Sequence, residues 1–213
     1  MSAVLTIDNQ PIAATFFGEV KNLTDFITPD ALEVTDLYKH LTTGLGATRD
    51  RVLACWRWVT GEVRYVKFVR GKMWIGGKSS VQKDLWQEPS IIVRTRVGNC
   101  ANKSFLLASL LRNELPEGEV FCALGNLYNG TPGGHAWVQL NIDDEWYTME
   151  STMPTAPPLI PIAQTKRYEV VHFFNDQGVQ AVESRTQMIP FTACYSTWLH
   201  DYLSWAYINR ETR

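Results

Sequence analysis

The chain has 213 residues, of which 45% are hydrophobic and 20% charged, and its formal net charge is −2 at pH 7. This length accommodates one domain with a full hydrophobic core, and the even charge balance argues against a nucleic-acid-binding protein. No apolar run approaches the roughly 18 residues that a membrane span needs, and no secretory signal segment is recognisable. We therefore expect a cytoplasmic protein that has neither nucleic acid nor membrane as a partner.

The first half of the chain predicts one strand, one long helix and one long loop. Residues 6–17 alternate loosely, as a strand does, and residues 28–30 read as a turn or the start of a helix. Residues 71–90 are rich in Gly and Ser and end at a proline, which predicts a long loop. A helix is predicted from Ala47 to near Gly61, because apolar residues recur there at helical spacing. These apolar residues are Val52, Trp56, Val59 and Val63.

A second helix is predicted from Asn99 to about Asn113. Asn99 is a preferred N-cap residue. Cys100 follows it directly, and the apolar residues of this segment cover more than one helical face. A stripe of that width predicts a helix buried in the core.

Beyond residue 116 the apolar pattern takes the two-residue period of strands. The predicted strands are residues 120–125, 135–142, 145–149 and 168–174, with a tight turn at residues 143–144. The proline-rich stretch 154–161 is predicted to be irregular, and residues 196–210 to form a terminal helix with aromatic residues on one side. Those aromatic residues are Trp198, Tyr202 and Trp205. The element order predicts an α+β fold, an antiparallel sheet with helices to one side.

The four cysteines are Cys55, Cys100, Cys122 and Cys194. They are widely separated and form no CxxC pair, so we expect free thiols rather than a disulfide framework or a zinc site. The four histidines show no metal-ligand spacing either. We predict neither a metal nor a cofactor.

Three residues could carry nucleophilic chemistry. A thiolate is stabilised at a helix N-terminus, which is where the sequence puts Cys100. The base should be a histidine from another element, and His135 begins a predicted strand after a Gly-rich loop. Glu150 lies at the end of the next strand of the hairpin, roughly level with His135, so it can fix the histidine's tautomer.

These residues also have a purely structural interpretation. Cys100 would then be a buried helix cysteine, His135 a solvated residue at a loop end, and Glu150 a surface carboxylate. Residue types and spacing alone leave both interpretations open.

Two segments resemble motifs of the transglutaminase-like superfamily. The stretch GNCANKS at residues 98–104, followed by FLLASLLR, resembles the cysteine motif of that superfamily. GGHAWVQLNIDDEWYTMEST at residues 133–152 resembles its histidine and acidic motifs. The closest similarity is to bacterial and phage transglutaminase-like cysteine peptidases, which often carry an LWQEP-like segment upstream.

The resemblance implies a papain/transglutaminase-like core with the nucleophilic cysteine at the N-terminus of a buried helix. We predict a single domain over residues 1–213. It consists of an N-terminal extension (1–46), the core with the catalytic motifs (47–153), and a C-terminal strand and helix (154–213).

The sequence departs from the family pattern at three positions. The family usually places an acid where Asn99 and Asn102 stand, and Asp where Glu150 stands. Glu is one methylene longer and can still reach a histidine if the strand register allows.

The implied function is that of a cysteine hydrolase, a peptidase or amidase that attacks an amide or isopeptide bond through a thioester intermediate. Acyl transfer to an amine is the related variant. The backbone N–H of Cys100 is the first expected oxyanion donor, and Gln87 or Trp86 the side-chain candidate. Gly98 would let a peptide or protein substrate approach closely.

The competing hypothesis is a non-catalytic member of the superfamily with a structural or assembly role, such as a phage virion-associated protein. The altered residues beside Cys100 suit it. So does the aromatic C-terminal segment, which would provide a surface for a protein partner.

Thiol reactivity separates the two hypotheses. An activated Cys100 should react with iodoacetamide at mildly acidic pH far faster than Cys55, Cys122 or Cys194, because only a thiolate is nucleophilic. Peptide mass spectrometry of the labelled chain measures the four rates. Equal, slow labelling of all four would favour the assembly role.

Overall fold

The computed structural model describes residues 14–16, 19–66, 71–75, 78–82, 86–129 and 132–182. The predicted terminal helix at residues 196–210 lies outside this part of the chain, as does most of the predicted strand at residues 6–17.

Four α-helices occur in the described part of the chain: α1 (Leu32–Thr42), α2 (Thr48–Glu62), α3 (Pro89–Thr95) and α4 (Cys100–Leu111). Helices α2 and α4 confirm the two predicted helices within a residue or two. Helices α1 and α3 were not predicted as such. Helix α3 begins with Pro89 itself, because proline is favoured at the first helical position, where no N–H is needed.

The twelve strands of the described part are β1 (Ala14–Phe16), β2 (Glu19–Lys21), β3 (Arg64–Tyr65), β4 (Gly71–Ile75), β5 (Lys78–Gln82), β6 (Val97–Gly98), β7 (Val120–Leu127), β8 (Gly133–Ile142), β9 (Glu145–Met149), β10 (Ile160–Pro161), β11 (Tyr168–Phe174) and β12 (Val179–Ala181). The main sheet has six strands in the order β10-β9-β8-β7-β11-β12, and all its pairings are antiparallel. The predicted strands correspond to β7, β8, β9 and β11.

One prediction of irregular structure was wrong, and a second failed only at its last two residues. Residues 71–90 contain the hairpin of β4 and β5 and the start of α3 instead of one long loop. The overlooked sequence signal is the Gly-Gly pair at residues 76–77 between two short runs, a composition typical of hairpin turns. In the proline-rich stretch, Ile160 and Pro161 form β10, which is tolerated because it lies at the sheet edge, where proline's missing N–H costs no ladder bond.

The β8–β9 hairpin has the predicted tight turn. Asp143 and Asp144 both have positive φ angles, 57° and 63°, as a two-residue type I′ turn requires. The turn sets the register, which pairs Ile142 with Glu145 and Val138 with Met149. The hairpin therefore brings the end of β9 back towards the start of β8.

Helix α4 forms the centre of the core. All twelve of its residues are buried, and it packs against β7 and β8 as well as the other three helices. Part of the stretch assigned to the N-terminal extension adds core side chains, including the fully buried Leu23 and Phe26. The predicted α+β class is confirmed, with an antiparallel sheet on a buried helix that carries Cys100 at its N-terminus.

A cavity of about 260 Å³ lies on the face of the main sheet that points away from α4. Its lining residues are Phe121, Gln139, Trp146, Ile162, Phe173 and Gln180. On the neighbouring strands these residues alternate with core residues such as Cys122 and Val138, so the cavity lies on the face away from α4.

None of the helices in the described part of the chain is long and apolar enough to cross a membrane.

Gly125 is a test of the packing between β7 and β11. A Cβ at this position would lie 1.9 Å from the carbonyl oxygen of Glu169, which is backbone and cannot rotate away. Gly125→Ala should therefore lower the free energy of unfolding by about 3 kcal/mol or more. Urea unfolding followed by circular dichroism measures the change.

The matched control is Gly61→Ala in α2, where a Cβ would meet nothing within 4 Å. This substitution should raise stability by about 0.5–1 kcal/mol, because alanine loses less entropy in a helix. A Gly125→Ala variant as stable as the parent would contradict the close approach of the Glu169 carbonyl to Gly125.

Candidate active site

Cys100 is the first residue of α4 and is fully buried. Asn99 caps the helix: its side-chain oxygen accepts a hydrogen bond from the backbone N–H of Asn102 at 3.0 Å. The N–H groups and positive dipole end of the helix favour negative charge on the sulfur. The sequence prediction of a capped helix that begins at the cysteine is confirmed.

The two residues before Asn99 form strand β6, which pairs in parallel with β3. Gly98 in this strand lies tightly against α4, since a Cβ there would come within 2.8 Å of the Asn102 Cβ. A glycine is therefore needed at this position for close packing onto the helix.

A chain of amide groups braces the same segment. The side-chain oxygen of Asn102 accepts the backbone N–H of Gln87 at 2.7 Å, and the Gln87 side-chain amide donates to the carbonyl of Val97 at 3.0 Å. Asn99 and Asn102 thus use their oxygens as acceptors for backbone N–H groups, a task that a carboxylate can also perform. The chain keeps these hydrogen bonds while it carries no charge at either position.

The two candidate side-chain oxyanion donors lie differently. Gln87 is buried and its amide bonds to the chain three residues before Cys100. Trp86 is buried in an aromatic cluster, with ring centroids 5.6 Å from Phe26 and 5.0 Å from Phe105. Of the two, only Gln87 has its polar group on the segment that leads into Cys100.

His135, the third residue of β8, links the other two candidate residues. A side-chain hydrogen bond joins it to Cys100, and its Nε2 lies 2.7 Å from Oε2 of Glu150. Because Nε2 is used by Glu150, the ring presents Nδ1 to the sulfur. Cys100, His135 and Glu150 therefore form one continuous hydrogen-bonded chain.

The charge state of His135 is set by opposing effects. Burial lowers the pKa of this imidazole, whereas the Glu150 charge and the hydrogen bonds to Cys100 and Glu150 raise it. The raising effects prevail, so the pKa of His135 lies well above 6.5.

Glu150 is fully buried, and both its carboxylate oxygens are hydrogen-bonded. Oε1 accepts the backbone N–H and the hydroxyl of Thr152 at 2.8 and 2.6 Å, and Oε2 accepts the Tyr168 hydroxyl at 3.1 Å besides His135. Burial alone would raise the pKa of Glu150, but His135 and the Thr152 hydrogen bonds lower it below its usual value. The carboxylate is therefore ionised inside the protein.

The strand register explains why a glutamate suits this position. Met149 pairs with Val138, so the next residue, Glu150, comes level with residue 137, two residues along β8 from His135. Such diagonal neighbours are about 7–8 Å apart at Cα, a span that favours a long side chain.

Four residues around the chain of hydrogen bonds were not singled out from the sequence: Thr152, Tyr168, Trp137 and Trp56. The Trp137 ring stacks on His135 with a centroid distance of 6.0 Å, and the Trp56 indole donates to the Glu150 carbonyl at 2.7 Å. Thr152 and Trp137 belong to the motif pattern around Glu150 and His135. Tyr168 and Trp56 come from β11 and α2, and no local sequence signal connects them to the site.

Cys55 and Cys122 lie in buried surroundings that disfavour a thiolate. Burial raises the pKa of Cys55 to about 12, and it raises that of Cys122 well above 9. Over the described ranges, no group of three His, Cys, Asp or Glu residues is arranged to hold a metal ion.

No protein-family profile and no curated protein matches the chain. Among solved structures, the chain is similar to Legionella pneumophila LapG at 15% identity and a TM-score of 0.45, over 71% of this chain and 89% of LapG. The calcium-bound form of LapG matches at 14% identity and a TM-score of 0.41, over 84% and 98% of the two chains.

A candidate cysteine protease from Cytophaga hutchinsonii matches at 19% identity and a TM-score of 0.42, over 78% of this chain. The match spans 55% of that longer protein.

The opposing effects on His135 give a sharp prediction for Glu150→Gln. This change keeps the side-chain shape but removes the negative charge that raises the pKa of His135. The lowering effect of burial then prevails, and the pKa of His135 should fall. Nitrogen NMR of the His135 ring measures it. Glu62→Gln, on the exposed end of α2, is the control and should leave His135 unchanged. An unaltered His135 titration in Glu150→Gln would contradict the assigned electrostatics.

Proposed function

We propose that this chain is a transglutaminase-like cysteine hydrolase, a peptidase or amidase in which Cys100, His135 and Glu150 form the catalytic triad. The observation that carries the proposal is the hydrogen-bonded chain from Cys100 through His135 to a buried, ionised Glu150. The motif resemblance at residues 98–104 and 133–152 supports the same assignment.

The geometry supports a defined sequence of steps. The helix N-terminus and a protonated His135 favour a Cys100 thiolate, which attacks the carbonyl carbon of an amide or isopeptide bond. His135 then donates its proton to the leaving amine, and a thioester on Cys100 remains. Water, deprotonated by His135, attacks the thioester and releases the acid. Glu150 holds the imidazole and compensates its positive charge throughout.

The tetrahedral intermediate needs hydrogen-bond donors for its oxyanion. The backbone N–H of Cys100 is the first donor in this proposal. Gln87 is the side-chain candidate, because a primary amide carries two hydrogens and the Val97 carbonyl accepts one of them.

The burial of the triad favours acyl transfer as the second candidate function. Cys100 and Glu150 are fully buried, and His135 is only 5% exposed. A site that excludes water protects a thioester from hydrolysis and lets an amine compete for it. The same burial means that neighbouring groups must move before a peptide carbonyl can reach the sulfur.

Cys100→Ala should keep the fold, because the cysteine is small and the Asn99 cap holds the start of α4 in place. Its turnover of peptide and acyl substrates should fall by at least about 10³-fold. The control is Cys55→Ala, another fully buried cysteine, which should keep its kcat at some loss of stability. Activity-based probes and single-turnover assays on the three proteins provide the measurement.

The partition between hydrolysis and transfer comes from the same assay with an added amine nucleophile. Formation of the amine adduct at the expense of the free acid would favour acyl transfer. Folded wild-type protein that labels no faster than Cys100→Ala with every probe would favour the non-catalytic, assembly role.

A further inference from the structure

Lys103 is a fully buried lysine in the first turn of α4, three residues after Cys100. Lysine is almost never fully buried unless its ammonium has partners. Here the Nζ atom donates to the backbone carbonyls of Val63 at 2.8 Å and Thr60 at 3.4 Å. The mechanism proposed above gives this buried amine no task.

The two carbonyls that bind Lys103 belong to the C-terminal end of α2. Thr60 lies in its last turn and Val63 is its C-cap. The last carbonyls of a helix have no intrahelical partner and carry the negative end of its dipole, so a cation is favoured there. The Lys103 side chain, which comes from α4, therefore caps the C-terminal end of α2.

The end of α2 is connected to both ends of the candidate triad. Immediately after Val63, strand β3 pairs with β6, and the Arg64 N–H donates to the Arg96 carbonyl at 2.8 Å. Strand β6 leads directly into Asn99 and Cys100. At the other end, Trp56 of α2 donates to the Glu150 carbonyl. A shift of α2 would thus disturb both the nucleophile and the carboxylate.

The negative charge of Glu150 also acts on Lys103. Burial lowers the pKa of Lys103 to about 7, and the negative charge of Glu150 opposes that shift. Below that pH, a buried cation therefore lies within the electrostatic field of Glu150. Two titratable groups contact Glu150 directly, the His135 ring and the Tyr168 hydroxyl, and Cys100 is hydrogen-bonded to His135.

We propose that Lys103 is a positioning residue of this site: its ammonium fixes the end of α2 and β6 against the first turn of α4, and its charge favours the ionised Glu150. The inference rests on the proposed triad for its catalytic meaning. The hydrogen bonds of Lys103 and its effect on Glu150 can be tested without any turnover.

Two substitutions separate hydrogen bonding from charge. Lys103→Met removes both, whereas Lys103→Gln keeps an N–H donor for the carbonyls but carries no charge. Removing a buried cation raises the pKa of every titratable group that feels it. Lys103 acts on Glu150, and the Glu150 charge acts on His135, so the titration of the His135 ring should move in both variants. Thermal stability should fall more in Lys103→Met than in Lys103→Gln.

The matched controls are Lys39→Met and Lys39→Gln on the exposed face of α1, which should change neither the His135 titration nor the thermal stability.

A wild-type measurement removes the dependence on variants that fail to fold. The Lys103 side-chain resonance should titrate near pH 7, and the His135 ring resonances should show an inflection at the same pH. The absence of that inflection, or a folded Lys103→Gln variant with the wild-type His135 titration, would overturn the proposal. Slow labelling of wild-type Cys100 at every pH would instead overturn the proposed function. A shared inflection of the Lys103 and His135 resonances would then still show whether the Lys103 charge acts on the site.

Discussion

The buried carboxylate of Glu150 is the constraint on which the rest of the site depends. An ionised carboxylate in the interior costs several kcal/mol unless its oxygens are paired and hydrogen-bonded. Here the partners come from three places: His135 on β8, Thr152 just after β9 and Tyr168 on β11. Satisfying one charge therefore aligns three parts of the main sheet around the imidazole. The orientation of His135 towards Cys100 follows from that alignment.

Lys103 adds a second buried charge to the same region, and its position ties the sheet side of the site to the helical side. Buried ionisable groups of this kind are weak contributors to stability, since apolar side chains of similar volume would pack at lower cost. Their concentration around one cysteine therefore points to function rather than to folding. The Trp56 and Lys103 contacts make α2 the element that joins the carboxylate to the nucleophile.

The two asparagines beside Cys100 change the electrostatics without changing the local geometry. Asn99 caps the helix and Asn102 binds the Gln87 backbone, so both supply acceptor oxygens. A carboxylate at either position would place a second negative charge beside Cys100, in addition to that of Glu150. With neutral amides at both positions, Glu150 supplies the negative charge of the proposed triad. This arrangement favours the imidazolium–thiolate pair that the proposed chemistry needs.

The sequence by itself determined what depends on neighbours along the chain. The N-cap of α4, its wide apolar stripe and the tight turn after β8 are local signals, and together they position Cys100 and bring Glu150 back towards His135. The hairpin of β4 and β5 was equally local, and the Gly-Gly signal at residues 76–77 was overlooked. Only the tertiary structure decided that Tyr168 and Trp56 contact Glu150 and that Lys103 binds the end of α2. These contacts join residues 18, 94 and 40 positions apart, and they exist only after independent elements have packed together. No periodicity or capping signal records such a contact, because its energy comes from burial and hydrogen-bond satisfaction in the assembled core.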